Sequence, residues 1–357
     1  MQKDDRIPSS GPSKECDVSL MKLRVGVIGL GEAWESRHRP ALLALSDRFE
    51  LRAVYDPVAH LADQVAREFR AVAVEGFRAV ARRDDIDAVL MLSSDWFGPL
   101  PIVAACQHGK AVYCAATLDI DPEHARRIRE VIDRSGVAFM AEFPRRTMPA
   151  TLRLKELIAT NLGRPRLLFC HARKRVHFAP RRNGYASFTP HPEGVRELME
   201  LVDWCRYVVG ADPTSVIGVQ HADPSGHGCD YHMISLDFSD TEPGHGPLAH
   251  ISFGSYLSPK WPEAVAFRPP AALQVCCERG VAFVDLPSTI VWFDEAGQHL
   301  ESLDSERPVG ELLLTQFYRA VTSLVRRTSD MDDAYAALTI VQRARQSFRE
   351  QRRIFLR

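Results

Sequence analysis

The feature that most constrains this chain is an alternation that begins at residue 22. Apolar runs of strand length are each followed by a stretch with helical periodicity. The runs are Leu23–Ile28, Leu51–Tyr55, Ala71–Val74, Ala88–Leu92, Ala111–Cys114 and Val137–Ala141. Helix-like stretches lie near 33–46, 58–69, 98–108 and 121–134, the last opened by Asp121 as N-cap and Pro122 in the first turn. Repeated strand-helix-strand units require a parallel sheet covered on both faces.

Beyond Phe143-Pro144 the pattern changes. A helix near 149–161, a strand at 166–171, a polar loop rich in Arg, His and Pro to about 193, and a helix at 194–209 precede a succession of strands. These fall at 214–220, 231–238, 248–256, 272–277, 281–285 and 289–293, and amphipathic helices near 311–326 and 331–350 close the chain. Strands without intervening helices favour an antiparallel sheet. The expected architecture is α/β: a doubly wound parallel sheet over 22–144, then an α+β domain over 145–357 with a mostly antiparallel open sheet. Such a sheet, with helices on one face, leaves the other needing cover, so a homo-oligomer is expected.

A length of 357 residues agrees with two domains. Lys and Arg (45) nearly cancel Asp and Glu (46), which gives no global field for nucleic acid or an anionic membrane. The eight cysteines contain no C-x-x-C pair and read as reduced thiols. Residues 1–21 are polar, lack the apolar core of a signal peptide, and read as a flexible leader; no later run is long enough to cross a bilayer. The expected compartment is the cytoplasm.

Directly after the first strand comes Gly29-Leu30-Gly31-Glu32-Ala33-Trp34, the start of a G-x-G-x-x-G dinucleotide fingerprint with Trp34 in place of its third glycine. The context is the required one: an apolar strand before, a helix after, and Asp56 ending the second strand 27 residues beyond Gly29. Gly29 would permit the tight turn, Gly31 would admit the pyrophosphate, and the helix N-terminus would hold its charge. Asp56 would bind the ribose hydroxyls and repel a 2′-phosphate, which favours NAD over NADP. The ring of Trp34 should loosen the first helix on the sheet or cap the pyrophosphate differently.

The segments VGVIGLGEAWESRHRPAL (25–42), IDAVLMLSSD (86–95), HGKAVYCAATLDI (108–120) and GVRELMELVDWCRYVVG (194–210), with Asp56, resemble the glucose-fructose oxidoreductase / inositol dehydrogenase / rhizopine-catabolism (Gfo/Idh/MocA) family over about residues 22–357. The resemblance implies an NAD(P)-dependent oxidoreductase acting on a sugar, polyol or similar small polar molecule. It also implies cofactor contacts from Gly29, Leu30, Gly31, Glu32, Ala33, Asp56, Ser93 and Ser94. The family's Glu-Lys-Pro, whose Lys assists proton transfer, aligns with Ala115-Ala116-Thr117. Of its Asp-x3-His-x2-Asp helix motif, the positions here are Arg196, Glu200 and Asp203. Strand four keeps Ser93-Ser94-Asp95 where the family usually has Thr-Pro-Asn.

The chain has seven lysines, none at the family's catalytic position. Positioned acid/base groups contribute about 10²–10⁴-fold each, so activity turns on a replacement. Glu200 and Asp203 are the catalytic candidates; Arg146, Arg196 and His191 are the candidates for substrate contact, and Tyr185 precedes the same helix. Arg196 and Glu200, four apart, are equally a helical ion pair. A cofactor-bound sensor or structural partner without hydride transfer is the alternative. His221, His227, Cys229 and His232 match no common structural zinc spacing, and no metal is expected.

Overall fold

The computed structural model describes residues 22–31, 33–93, 97–115, 122–175, 194–222, 229–257, 260–261, 263–264, 267–303, 307–323 and 329–356. Six strands form a wholly parallel sheet: β1 (Leu23–Ile28), β2 (Phe49–Tyr55), β3 (Val72–Ala73), β4 (Ala88–Met91), β5 (Ala111–Cys114) and β6 (Phe139–Ala141). Their spatial order is β3-β2-β1-β4-β5-β6. The chain reverses direction across the sheet between β1 and β4, and the carboxyl ends of strands at such a switch point form the ligand crevice of a doubly wound fold. β4 and β5 are buried at every residue, as two covered faces demand.

The cover differs from a simple 33–46 helix after β1. Residues Trp34–His38 form a π turn, followed by α1 (Arg39–Ala44) with Pro40 in its first turn. Pro40 has no N–H to give the Ser36 carbonyl, so one unbroken α-helix could not run through it. The remaining crossovers are α2 (Ala59–Phe69), α3 (Phe77–Ala81), α4 (Leu100–Gln107) and α5 (Pro122–Ser135).

Short α6 (Pro144–Thr147) and α7 (Pro149–Leu157) lead into a nine-stranded sheet. It comprises β7 (Pro165–Arg175), β8 (Ser215–Ala222), β9 (Cys229–Asp237), β10 (Leu248–Leu257), β11 (Leu273–Cys277), β12 (Val281–Asp285), β13 (Thr289–Asp294), β14 (Gly297–Ser302) and β15 (Ile354–Phe355). The order is β14-β13-β12-β11-β7-β10-β9-β8-β15, antiparallel throughout except for β7 with β10. Between β7 and β8 lies α8 (Val195–Val209), and after β14 come α9 (Val309–Thr322) and α10 (Ser329–Glu350). One face of the sheet packs Leu168, Cys170, Ile234, Ile251 and Val275 against Leu201 and Trp204 of α8 and Leu338 and Val341 of α10. Edge strands β14 and β15, α3 and α6 were not legible as elements in the sequence.

The C-terminal helices also serve the first sheet. Leu313, Leu314 and Phe317 of α9 join the core formed by Val27, Leu90 and Tyr113. Met331 and Ala334 of α10 pack with Met91 and Phe139, while the later turns of the same helix lie on the second sheet. Among the described residues no helix is long and apolar enough to cross a membrane.

Candidate active site

The turn after β1 is closed by Asp56, which follows β2. The Leu30 N–H donates to Asp56 Oδ2 at 3.0 Å and the Val58 N–H to Oδ1 at 2.8 Å. Both glycines take positive φ, 67° at Gly29 and 69° at Gly31. A Cβ on Gly29 would stand 2.8 Å from the Ser93 Cβ, and one on Gly31 would overlap the Leu92 carbonyl oxygen. The missing side chains therefore let this turn seat against the end of β4, a different role for Gly31 from the direct admission of pyrophosphate. The result is a backbone cradle at the crevice, flanked by Ser93 and the Asp56 carboxylate. A carboxylate offers about four acceptor sites. Two N–H bonds leave room for a ribose diol, so these residues fit a dinucleotide.

Trp34 corrects the expectation placed on it. Its side chain is 3% exposed, packs in the core with Leu30 and Val65, and lies 6.0 Å from the Phe69 ring. The ring fills space between the first two helices instead of loosening them, because the π turn gives the bulky residue a position that a regular first turn would not. Ala33 precedes that turn. Glu32, Ser94, Asp95, Ala116, Thr117, Tyr185, His191 and His227 lie outside the described residues.

The sequence reading missed a buried carboxylate. Glu142, one residue past β6, accepts from the Tyr113 hydroxyl at 2.7 Å and lies 2.9 Å from His38 Nε2, both at Oε2. Arg37 Nη2 is 2.5 Å from Oε1. Burial opposes ionisation of Glu142, yet His38, Arg37 and Tyr113 together hold its carboxyl below the usual range. The same arrangement, with burial dominant, pushes the Tyr113 phenol well above its ordinary value. The available signal was a lone carboxylate ending the apolar run Val137–Ala141, plus a histidine one turn past the glycine motif.

On α8 the three motif positions separate into two settings. Asp203 is 1% exposed and is gripped by Arg146, which donates from Nε to Oδ2 at 2.7 Å and from Nη2 to Oδ1. The third nitrogen, Arg146 Nη1, donates to Asp333 of α10 at 2.8 Å, so every nitrogen of that guanidinium is engaged. Arg206 adds a contact to Asp203 Oδ1 at 3.5 Å. Burial raises the Asp203 carboxyl above its ordinary value against the pull of these arginines. Glu200 stands one turn earlier, 3.4 Å from Arg196 Nε and 3.6 Å from Arg145 Nε. Arg196 also feels the charge of Glu142, so the start of α8 faces the end of β6. The structure thus gathers Glu200, Arg196 and Arg145 near the crevice and draws Asp203 and Arg146 into an interior network. Lys110, at the far end of β5, donates to the Ile86 carbonyl at 2.7 Å.

Of the four positions with no common zinc spacing, His221 and His232 lie on the paired strands β8 and β9. His221 of β8 lies 2.7 Å from Asp230, while His232 of β9 is buried, 3.3 Å from Gln220 and stacked on Phe253.

Comparison with known proteins agrees with this geometry. Residues 23–143 match the model of the GFO_IDH_MocA oxidoreductase family, described by its NAD-binding Rossmann fold. The chain is 28% identical over 204 residues to scyllo-inositol 2-dehydrogenase (NAD(+)) of Bacillus subtilis, covering 55% of this chain and 57% of that protein. It is 27% identical over 248 residues to D-xylose 1-dehydrogenase [NADP(+)] of Haloarcula marismortui, covering 62% and 64%. The matched segment is thus under two thirds of either relative's length. An oxidoreductase structure from Thermotoga maritima shares the fold with a TM-score of 0.77 at 18% identity, over 94% of this chain and 98% of that one. The chain's nucleotide-binding segment, residues 23–143, is thus similar to the GFO_IDH_MocA family of oxidoreductases with their NAD-binding Rossmann fold.

Proposed function

We propose that this protein is an NAD-dependent oxidoreductase acting on a small polyhydroxylated molecule held between the C-terminal edge of the first sheet and α8. The observation that carries the reading is the Gly29–Gly31 turn tied to Asp56 at the switch point. The dinucleotide would lie on Gly29–Ala33, with Asp56 accepting from its ribose hydroxyls and Ser93 beside the turn. Asp56 also favours NAD over NADP, because a 2′-phosphate would meet a carboxylate. The nicotinamide supplies the hydride acceptor. On this reading residues 22–144 bind the cofactor, and residues 145–357 shape the substrate side.

In the absence of the family's lysine, Glu200 would take the proton from the reacting hydroxyl. It is 17% exposed at its side chain and faces the end of β6 through its neighbour Arg196. The test has two stages. NAD at about a hundred times its dissociation constant should stabilise the fold by roughly 2.7 kcal/mol. A panel of sugars and polyols is then followed at the nicotinamide absorbance, with Glu200→Gln expected to lower kcat about 10²-fold or more. Cofactor binding without turnover on any of them would favour a sensor role.

The second face of this sheet, which no described helix covers, supports assembly with a second copy. Leu167, Val219 and Phe293 stand about two-fifths exposed there, beside the stacked Phe169 and His250 rings. Light scattering of the purified protein decides this: a monomer mass at working concentration removes the reading.

A further inference from the structure

The arginine-carboxylate pairs of this protein differ in how completely the guanidinium is used. Several that tie elements together are two-pronged and short: Arg24 with Asp87 at 2.9 and 2.6 Å, Arg153 with Glu301 at 2.8 Å twice, and Arg146 with Asp203. Arg145 is different. It makes no hydrogen bond to any described residue, its Nε is, like those of Arg37, Arg48 and Arg52, a buried donor without an acceptor, and among the described residues its ionic neighbour is Glu200 at 3.6 Å. The guanidinium lies over the buried Trp204 ring, 5.5 Å from the centroid.

Stacking of that kind holds a guanidinium in orientation while leaving its N–H edge available, and such an edge matches the paired oxygens of a carboxylate or phosphate. Arg196 sits across Glu200 from Arg145, bound to the same carboxylate by a single 3.4 Å contact. Two guanidiniums are therefore poised, with unused donors, around the candidate base. Buried donors are almost always satisfied, and the Arg145 Nε has a single carboxylate neighbour, 3.6 Å away and beyond hydrogen-bond length. The other carboxylate nearby, Glu142, is already taken up by Arg37, His38 and Tyr113.

We infer that Arg145 and Arg196 form an anion-binding edge and that the substrate carries a carboxylate or phosphate group close to its reacting carbinol. The inference rests on the oxidoreductase reading for where the substrate lies. It names the substrate class as acidic and moves the substrate contact from Arg146, whose guanidinium is closed off, to its neighbour Arg145.

The experiment is a binding titration of the full-length protein with and without saturating NAD, using D-gluconate, D-glucuronate, glucose 6-phosphate and D-glucose. The acids are expected to bind at least tenfold more tightly than glucose, with an affinity that falls as salt rises. Arg145→Gln and Arg196→Gln should each weaken the acid tenfold or more, and Arg145→Lys should recover part of the loss. Tighter binding of glucose 6-phosphate than of gluconate supports the edge and names phosphate as its ligand. Equal binding of glucose and the acids overturns the proposal. So does acid binding unchanged in Arg145→Gln, or silence toward every anion. An absent NAD response strikes the cofactor reading alone, because the anion arms are also read without NAD.

Discussion

Arg146 and Asp203 form a closed pair: two guanidinium nitrogens reach the two carboxylate oxygens, and the third reaches Asp333 of α10. The pair joins α6, at the end of the nucleotide half, to α8 and to the helix that spans both sheets. Asp203 is 1% exposed there, at a position that aligns with the last residue of the helix motif. In the structure its contacts tie three helices together.

Removing one member of such a pair leaves the other charged and buried, at a cost of about 3–5 kcal/mol. Asp203→Asn should therefore lower the denaturant midpoint substantially while leaving NAD affinity intact. A variant of unchanged stability that has lost only turnover would return Asp203 to the catalytic list.

Trp34→Gly restores the third glycine of the dinucleotide fingerprint, yet it should make the protein worse. The ring is buried against Leu30, Val65 and Phe69, and emptying a site of that size costs about 3–5 kcal/mol. Thermal unfolding gives the answer; equal or higher stability would show that the fingerprint outweighs the packing.

Glu142 makes stability depend on acid. Its carboxyl titrates lower in the folded protein than the unfolded value of about 4.3, so below that pH the unfolded chain binds more protons and stability falls as pH drops. The contribution is complete above the unfolded value and is lost through the folded one. Glu142→Gln should be less stable at neutral pH and show a shallower loss between about pH 5 and pH 3. Parallel urea-midpoint curves for the two proteins would refute this.

Asp56→Ala removes the acceptor for two backbone N–H groups, worth about 1–3 kcal/mol where they are buried, and the carboxylate that opposes a 2′-phosphate. NAD affinity should fall and the NAD-to-NADP preference should shrink. Fluorescence titration of the reduced cofactors measures both, and an unchanged ratio would remove Asp56 from cofactor choice.

A chain ending before α9 should not fold its nucleotide half. Leu313, Leu314 and Phe317 cover apolar residues of β1, β4 and β5 that would otherwise face water. Residues 22–144 expressed alone are expected to aggregate or bind hydrophobic dyes, whereas a well-folded fragment would show that the helix is an accessory.

The first half was legible because its information is local. Strand-length runs buried on both faces, two glycines at positive φ and an acidic residue ending β2 are properties of neighbouring residues and fixed spacings, and they specify the parallel sheet and its crevice. The Trp34 environment was not legible, since the motif position says nothing of the π turn that Pro40 forces. What only the tertiary structure decided was which charges meet. His38 and Glu142 are 104 residues apart, and Arg146 is 57 from Asp203 and 187 from Asp333. No periodicity encodes such pairs. They exist because packing the two sheets around α8, α9 and α10 takes these groups out of water, where each must find an opposite charge or hydrogen-bond partner. Arg145 is left over the Trp204 ring with the Glu200 carboxylate 3.6 Å away.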